Sequence, residues 1–204
     1  MLQGVSQRFD FEKSKELGKA LLNKFVIDSE TSNFTRLRAL MNRRTWDYIP
    51  QGEYIQLFVN GVMMMSDTRM ERITSSEFVE NAHGDVFIAG LGVGLVLHNL
   101  KDKIDKGIVK SITIVEISQD VIDLVSPYYK DLKINYICKD IFEYKPAKDE
   151  KYDTLFFDIW PVVTTDMLND MRKLSYIWRY HKKDENSWVG YWAKKEALRL
   201  KNDY

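Results

Sequence analysis

Three glycines at alternate positions, Gly90, Gly92 and Gly94, directly follow the apolar stretch Val86-Phe-Ile-Ala89 and precede the apolar segment Leu95 to Leu100. That order is a strand, a tight turn and a helix, the build of a nucleotide-binding unit. Glycine is required there because the chain must bend sharply and let a ligand approach the backbone, which a Cβ would prevent. A second apolar run, Ser111-Ile-Thr-Ile-Val-Glu116, ends on a carboxylate where one is needed to accept hydrogen bonds from both hydroxyls of a ribose.

The spacing of the glycines narrows the nucleotide. A dinucleotide turn places glycine at its first, third and sixth positions, whereas here the sixth position is Leu95 and the glycines fall first, third and fifth. A pyrophosphate would lose its close approach to the helix. From Asp85 onward the chain alternates predicted strands (Val86 to Ala89, Ser111 to Glu116, Ile134 to Cys138, Thr154 to Phe157) with predicted helices (Leu95 to Lys103, Asp120 to Tyr129). Alternation of this kind predicts a parallel sheet with right-handed crossovers. Pro127 is expected to end or bend the second helix. Ligands of such sheets collect beyond the carboxyl ends of the strands, where Gly90, Glu116, Asp140 and Asp158 stand.

Composition sets outer bounds. The 204 residues suffice for one domain with a substantial core, and 30 basic residues balance 30 acidic ones, so no overall field draws the chain to nucleic acid or membrane. The single cysteine, Cys138, excludes an intramolecular disulfide and a cysteine-based zinc cage. The three histidines, His83, His98 and His181, lack ligand spacing, so no metal site is expected. No apolar run reaches membrane-spanning length, and the start, Met1 to Asp10, lacks the basic-then-apolar build of a signal peptide. A cytoplasmic location is the expectation.

Residues 1–83 read as an extension before the nucleotide unit. Leu17, Ala20, Leu21, Leu22 and Phe25 recur at roughly helical spacing within 11–25, and Phe34, Leu37, Leu40 and Met41 do so again. Tyr54 to Val59 and Val62 to Met65 flank Asn60-Gly61, the strongest short signal for a two-residue hairpin turn. Ser66 or Asp67 is expected to cap a helix running to Val79. Beyond the core unit, 84–163, the residues 164–204 read as two helices packed on the core, over 164–181 and Trp188 to Leu198. That tail, from Met167, carries nine basic residues against five acids, with Trp178, Trp188 and Trp192 interleaved. A nucleic-acid groove has this make-up, and so does a solvated helical surface with its tryptophans turned inward.

With these motifs in place, the glycine turn and Glu116 resemble motif I of the class I S-adenosylmethionine-dependent methyltransferases. Val115-Glu-Ile-Ser-Gln-Asp-Val-Ile122, followed by Tyr128-Tyr129, is similar to the segment after motif I in the spermidine-synthase-like branch. Ile137-Cys-Lys-Asp-Ile141 and Tyr152-Asp-Thr-Leu-Phe-Phe-Asp-Ile-Trp-Pro161 resemble its adenine-reading and fourth-strand motifs, and the hairpin 57–67 resembles its amino-terminal hairpin. Small methyltransferase-like proteins of bacteria and their viruses are similar as well. The resemblance spans roughly residues 50–165. It implies an α/β fold with a Rossmann-like methyltransferase sheet, shortened to about five strands, behind an amino-terminal helix and hairpin, all one globular unit.

The resemblance also implies roles. Gly90, Gly92 and Gly94 would meet the methionyl and ribose portion of S-adenosylmethionine, Glu116 with its neighbour Ile117 would hold the ribose, and Asp140 and the Ile141 amide would read the adenine. Asp158 would orient or deprotonate an amine or hydroxyl nucleophile, with Trp160 and Pro161 walling the acceptor pocket. Departures accompany these matches. Val93 stands where aminopropyl-transferring synthases carry an acid in the turn, Ile88 where many methyltransferases carry one, and Arg69-Met-Glu-Arg-Ile-Thr74 where the synthases read Tyr-His-Glu. Methyl transfer to an amine, hydroxyl or nucleic-acid acceptor is therefore the leading expectation. An aminopropyltransferase and a non-catalytic protein that binds cofactor or a partner are the alternatives, and homo-oligomerisation stays open.

Overall fold

A computed structural model describes residues 2–44 and 47–202; Asp203, one of the five acids of the tail, lies outside the described residues. The chain forms two sheets. An antiparallel sheet holds β1 (Ser14–Leu17), β2 (Ala20–Ile27), β3 (Gly52–Val59) and β4 (Val62–Ser66) in sequence order. A parallel sheet of five strands has the order β7-β6-β5-β8-β9, from β5 (Gly84–Ala89), β6 (Val109–Glu116), β7 (Ile134–Cys138), β8 (Thr154–Phe157) and β9 (Trp188–Tyr191). That order starts in the middle, runs out to one edge and then reverses to the other, so the fold is Rossmann-like, with its switch point between β5 and β8.

Period-two alternation in β5 decides which layer each side chain joins. Val86 and Ile88 point into the larger core, together with Leu97 and Leu100 of helix α4 (Leu95–Asp105) and Val121 and Leu124 of helix α5 (Gln119–Val125). Phe87 and Ala89 point to the other face, into Leu174 and Trp178 of helix α6 (Met167–Trp178). The Phe87 and Trp178 rings lie 4.1 Å apart. Leu22, Ile55 and Leu57 of the antiparallel sheet and Trp192 of the tail enter the same larger core. Each such side chain contributes about 1.5–3 kcal/mol when fully buried.

Helix ends follow local chemistry. Ser118 caps α5, its hydroxyl accepting from the Val121 amide, and the α-helix ends at Val125, with Pro127 in a following 3-10 turn, Ser126–Tyr129. Asp28 caps helix α1 (Ser29–Met41), as the apolar residues from Phe34 onward predicted a helix here. The hairpin at Asn60-Gly61 also forms, both residues at positive φ (52° and 76°).

Three expectations are corrected. The region 11–25 is not helical but the β1–β2 hairpin, turning at Gly18 with φ 55°. Apolar residues on both faces of β2 hid its period: Ala20 and Leu22 are fully buried, while Leu21 and Phe25 on the opposite face are half-buried. The helix expected from Ser66 or Asp67 to Val79 is broken into α2 (Arg69–Thr74) and α3 (Ser76–Asn81), and neither residue caps it. Thr74 and Ser76 donate their hydroxyls back to the Met70 and Ile73 carbonyls, chemistry that competes with a continuous helix. Finally, Trp188 to Leu198 is a strand and then a helix, β9 and α7 (Lys194–Asn202), divided at Ala193 with φ 48°. β9 pairs in parallel with β8 and completes the sheet.

Candidate functional site

The carboxyl ends of β5, β6 and β8 and the loop after β7 open on one cavity of about 290 Å³. Its lining includes Gly90, Gly92, Glu116, Ile117, Asp140, Ile141, Asp158, Trp160 and Pro161, so nine of the ten residues expected from sequence meet there. The tenth, Gly94, does not line it. Gly94 sits at the start of α4 with φ 72°, where a Cβ would strike the Tyr129 ring at 2.4 Å. Its smallness serves packing: the Tyr129 hydroxyl donates to the Val93 carbonyl at 2.8 Å and braces the turn from behind.

The turn itself is a cradle. A Cβ on Gly90 would meet the Asp158 carbonyl oxygen at 1.9 Å, because the ends of β5 and β8 lie side by side there. Gly90 donates to the Val115 carbonyl and Asp158 to the Ala89 carbonyl, both at 2.8 Å, which locks the three strand ends together. A Cβ on Gly92 would meet the Met65 sulfur at 1.9 Å, and that sulfur accepts the Val93 amide at 3.2 Å. The β3–β4 hairpin thus lays a thioether on the glycine turn. A register shift between Leu57 and Phe58 lets both Met64 and Met65 line the cavity.

Glu116 is 9% exposed and held from both sides, Oε2 accepting from the Leu91 amide (2.9 Å) and Oε1 from the Ser118 amide (3.0 Å). Burial pushes its carboxyl above the ordinary range, and these amides offset only part of that rise. Each oxygen keeps a lone pair for a further donor. Asp140 accepts the Phe142 amide at 2.8 Å through Oδ1, which shapes the loop, and the Ile141 amide has no acceptor among the described residues. Trp160 donates its indole N–H to Asp170 at 3.3 Å, which fixes the ring at the cavity wall.

Glu71 is the site residue that sequence reading missed. It lies on α2, is 9% exposed, lines the cavity, and its Oε2 accepts from Trp192 Nε1 at 2.8 Å. Burial and the neighbouring Asp158 push its carboxyl up to about 8. Burial and the field of Glu116 push Asp158 up to about 7. Asp158 has no side-chain hydrogen bond among the described residues. Two acids with raised affinity for protons therefore face one cavity, beside a third that is held by amides. The one signal for Glu71 was an acid between Met70 and Ile73 just after the hairpin; its indole partner stands far along the chain.

Elsewhere the chemistry is thinner. A groove of about 510 Å³ lies along α3, β9 and α7; of its four charged residues, Lys195 and Glu77 are already joined at 2.7 Å. Trp178 and Trp192 are each 2% exposed and pack inward, while Trp188 is half-buried at the wall of that groove. Among the described residues, no group of three or more His, Cys, Asp or Glu is placed to hold a metal ion, and no helix is long and apolar enough to cross a membrane.

No protein-family model and no curated protein matches the chain. Solved structures do. One is the ribosomal protein L11 methylase of Lactobacillus delbrueckii subsp. bulgaricus, 14% identical over 66% of this chain and 68% of that chain, TM-score 0.44. Another is a S-adenosylmethionine-dependent methyltransferase of Clostridium acetobutylicum ATCC 824, 21% identical over 53% and 43%, TM-score 0.38. A third is the N-methyltransferase NodS of Bradyrhizobium japonicum WM9, 16% identical over 56% and 59%, TM-score 0.39. The chain spans about half the length of the last two. These likenesses are distant, and what this chain does follows from its own residues.

Proposed function

We propose that the chain binds S-adenosylmethionine and transfers its methyl group to a small amine. The observation that carries the reading is the convergence of Glu116, Asp140, Asp158 and Glu71 on one cavity beside the glycine turn. The residues fit the cofactor. Gly90 and Gly92 present bare backbone to the cavity, Glu116 keeps a lone pair on each oxygen for the ribose hydroxyls, and the unpaired Ile141 amide with Asp140 matches the acceptor and donor edge of adenine. Charge-assisted bonds of the Glu116 kind are worth about 1.5–3 kcal/mol each. Withdrawal of the flexible Met65 side chain frees the Val93 amide for the methionyl tail.

When bound, the cofactor supplies an electrophilic methyl on a sulfonium. The chain positions the acceptor and manages its proton. An ionised Asp158 carboxylate attracts a cationic ammonium into the cavity and removes one proton from its nitrogen, leaving the lone pair free to attack. An acid pushed up to about 7 does this well near neutrality, because its basicity is matched to the working pH. Met64, Met65, Leu57 and Trp160 wall off water around the reacting atoms.

Calorimetric titration with S-adenosylhomocysteine tests the reading. Saturable binding is expected, weakened at least about tenfold in Glu116→Ala, the loss of one charge-assisted pair. No saturable binding would leave the fold as architecture for a partner. Turnover of a diamine with the decarboxylated cofactor, and none with the intact one, would transfer the reading to aminopropyl transfer.

A further inference from the structure

Glu71 and Asp158 border one cavity with too few donors between them for two charges. Glu71 is buried, and its Oε2 accepts from the Trp192 indole at 2.8 Å. Asp158 is half-buried, and among the described residues neither carboxyl has a cation for a partner. The other charged groups facing the cavity do not relieve the pair. Glu116 and Asp140 are acids, and Lys139, on the Asp140 side, has its Nζ 3.9 Å from Glu143. On α2 itself, Arg72 is turned to Asp67 at 3.7 Å and Arg69 does not line the cavity. The β3–β4 hairpin contributes only apolar side chains, Leu57, Val59, Met64 and Met65. Two carboxyls so placed repel each other once ionised, so they titrate as a pair and the second proton is held more tightly than the first. Burial and the Asp158 charge hold the Glu71 proton to higher pH than Asp158 keeps its own, which leaves Asp158 as the ionised member near neutrality.

We propose that Glu71 determines which amine the site accepts: it and Asp158 hold one proton between them, and the single negative charge that remains selects an acceptor with one cationic nitrogen over a diamine. This rests on the S-adenosylmethionine reading of the cavity. In that reading Glu116 and Asp140 are taken up by the cofactor, whose sulfonium offsets the Glu116 charge, and one ammonium offsets the charge of the pair. A second ammonium would stand against Leu57, Met64 and Met65 with no carboxylate to meet it. Uncompensated charge in apolar surroundings is costly. When Asp158 takes the proton of the ammonium the pair holds two, and release of one to water restores the starting state. The indole bond keeps Glu71 in place throughout, because its Oε2 accepts whether or not the other oxygen carries the proton.

Calorimetric titration of butylamine and of 1,4-diaminobutane into the full chain saturated with sinefungin, a cofactor analogue with an amine in place of the methylsulfonium, tests this. At about pH 7 butylamine is expected to bind at least about tenfold more tightly than the diamine. By about pH 9 the remaining proton leaves the pair and the preference shrinks, whereas in Glu71→Gln, which cannot ionise, it persists. Without any ligand, the infrared band of a protonated carboxyl at about pH 7.5 is expected to weaken in Glu71→Gln. Failure of butylamine to bind, equal binding of the two amines by the parent at about pH 7, a preference that changes with pH alike in both proteins, or a carboxyl band left intact by the substitution overturns the role of Glu71. Absence of saturable sinefungin binding overturns the cofactor reading itself, and this inference with it.

Discussion

Asp67 and Glu71 stand four residues apart, both buried, and the chain uses them in opposite ways. Asp67, fully buried, accepts the amides of Val5 (2.7 Å), Ser6 (3.2 Å) and Ile55 (2.8 Å), with an Arg72 guanidinium nitrogen at 3.7 Å. Its carboxylate ties the amino-terminal segment to β3. Glu71 has one donor, the Trp192 indole, and an acid for a neighbour. A buried carboxylate surrounded by amides is a structural clamp; one left short of donors and set against another acid is a reservoir for a proton or a cation.

Removing the clamp should have the largest effect. Asp67→Ala leaves three amides without their acceptor and is expected to cost about 3–5 kcal/mol in urea unfolding, enough to threaten the fold. A loss under about 1 kcal/mol would erase the contrast with Glu71. Asp158→Asn should act on chemistry alone, lowering turnover about a hundredfold with the melting temperature unchanged or raised. Turnover equal to that of the parent would remove Asp158 from proton transfer.

The smallest effect sharpens the comparison through pH. The Glu71 carboxyl is raised from 4.5 to about 8 in the folded chain, so the folded state holds a proton that the unfolded state releases. Stability from this group is therefore full below about pH 4.5 and is lost as pH rises towards 8. Glu71→Gln cannot ionise and still accepts from Trp192 through its amide oxygen. It should match the parent in acid and melt at least about 3 °C higher at alkaline pH. An identical melting profile at both ends would place Glu71 in a better-solvated setting than its neighbours indicate.

The glycine turn, four of the five parallel strands, the Asn60-Gly61 hairpin and the strand-end acids were legible in sequence, because each is set by local rules: where a Cβ fits, how apolar residues alternate, and where a strand stops. The β1–β2 hairpin was not, since both faces of β2 are apolar and period two disappears. Nor was β9, four residues long, which exists because β8 offers it an edge and Gly190 makes room for the Trp188 ring, where a Cβ would stand 2.0 Å away. Gly94 was placed in the cradle by its spacing, yet its contact with Tyr129 assigns it to packing.

By itself, then, the sequence determined the glycine turn, the parallel core and three of the four acids at the cavity, since these depend on residues close together in the chain. Only the tertiary structure decided that Glu71 joins Asp158, that Met65 covers Gly92, and that α1 turns its apolar side outward. Each of those rests on a partner contributed, or not contributed, from a distant part of the chain, and no local pattern carries that information.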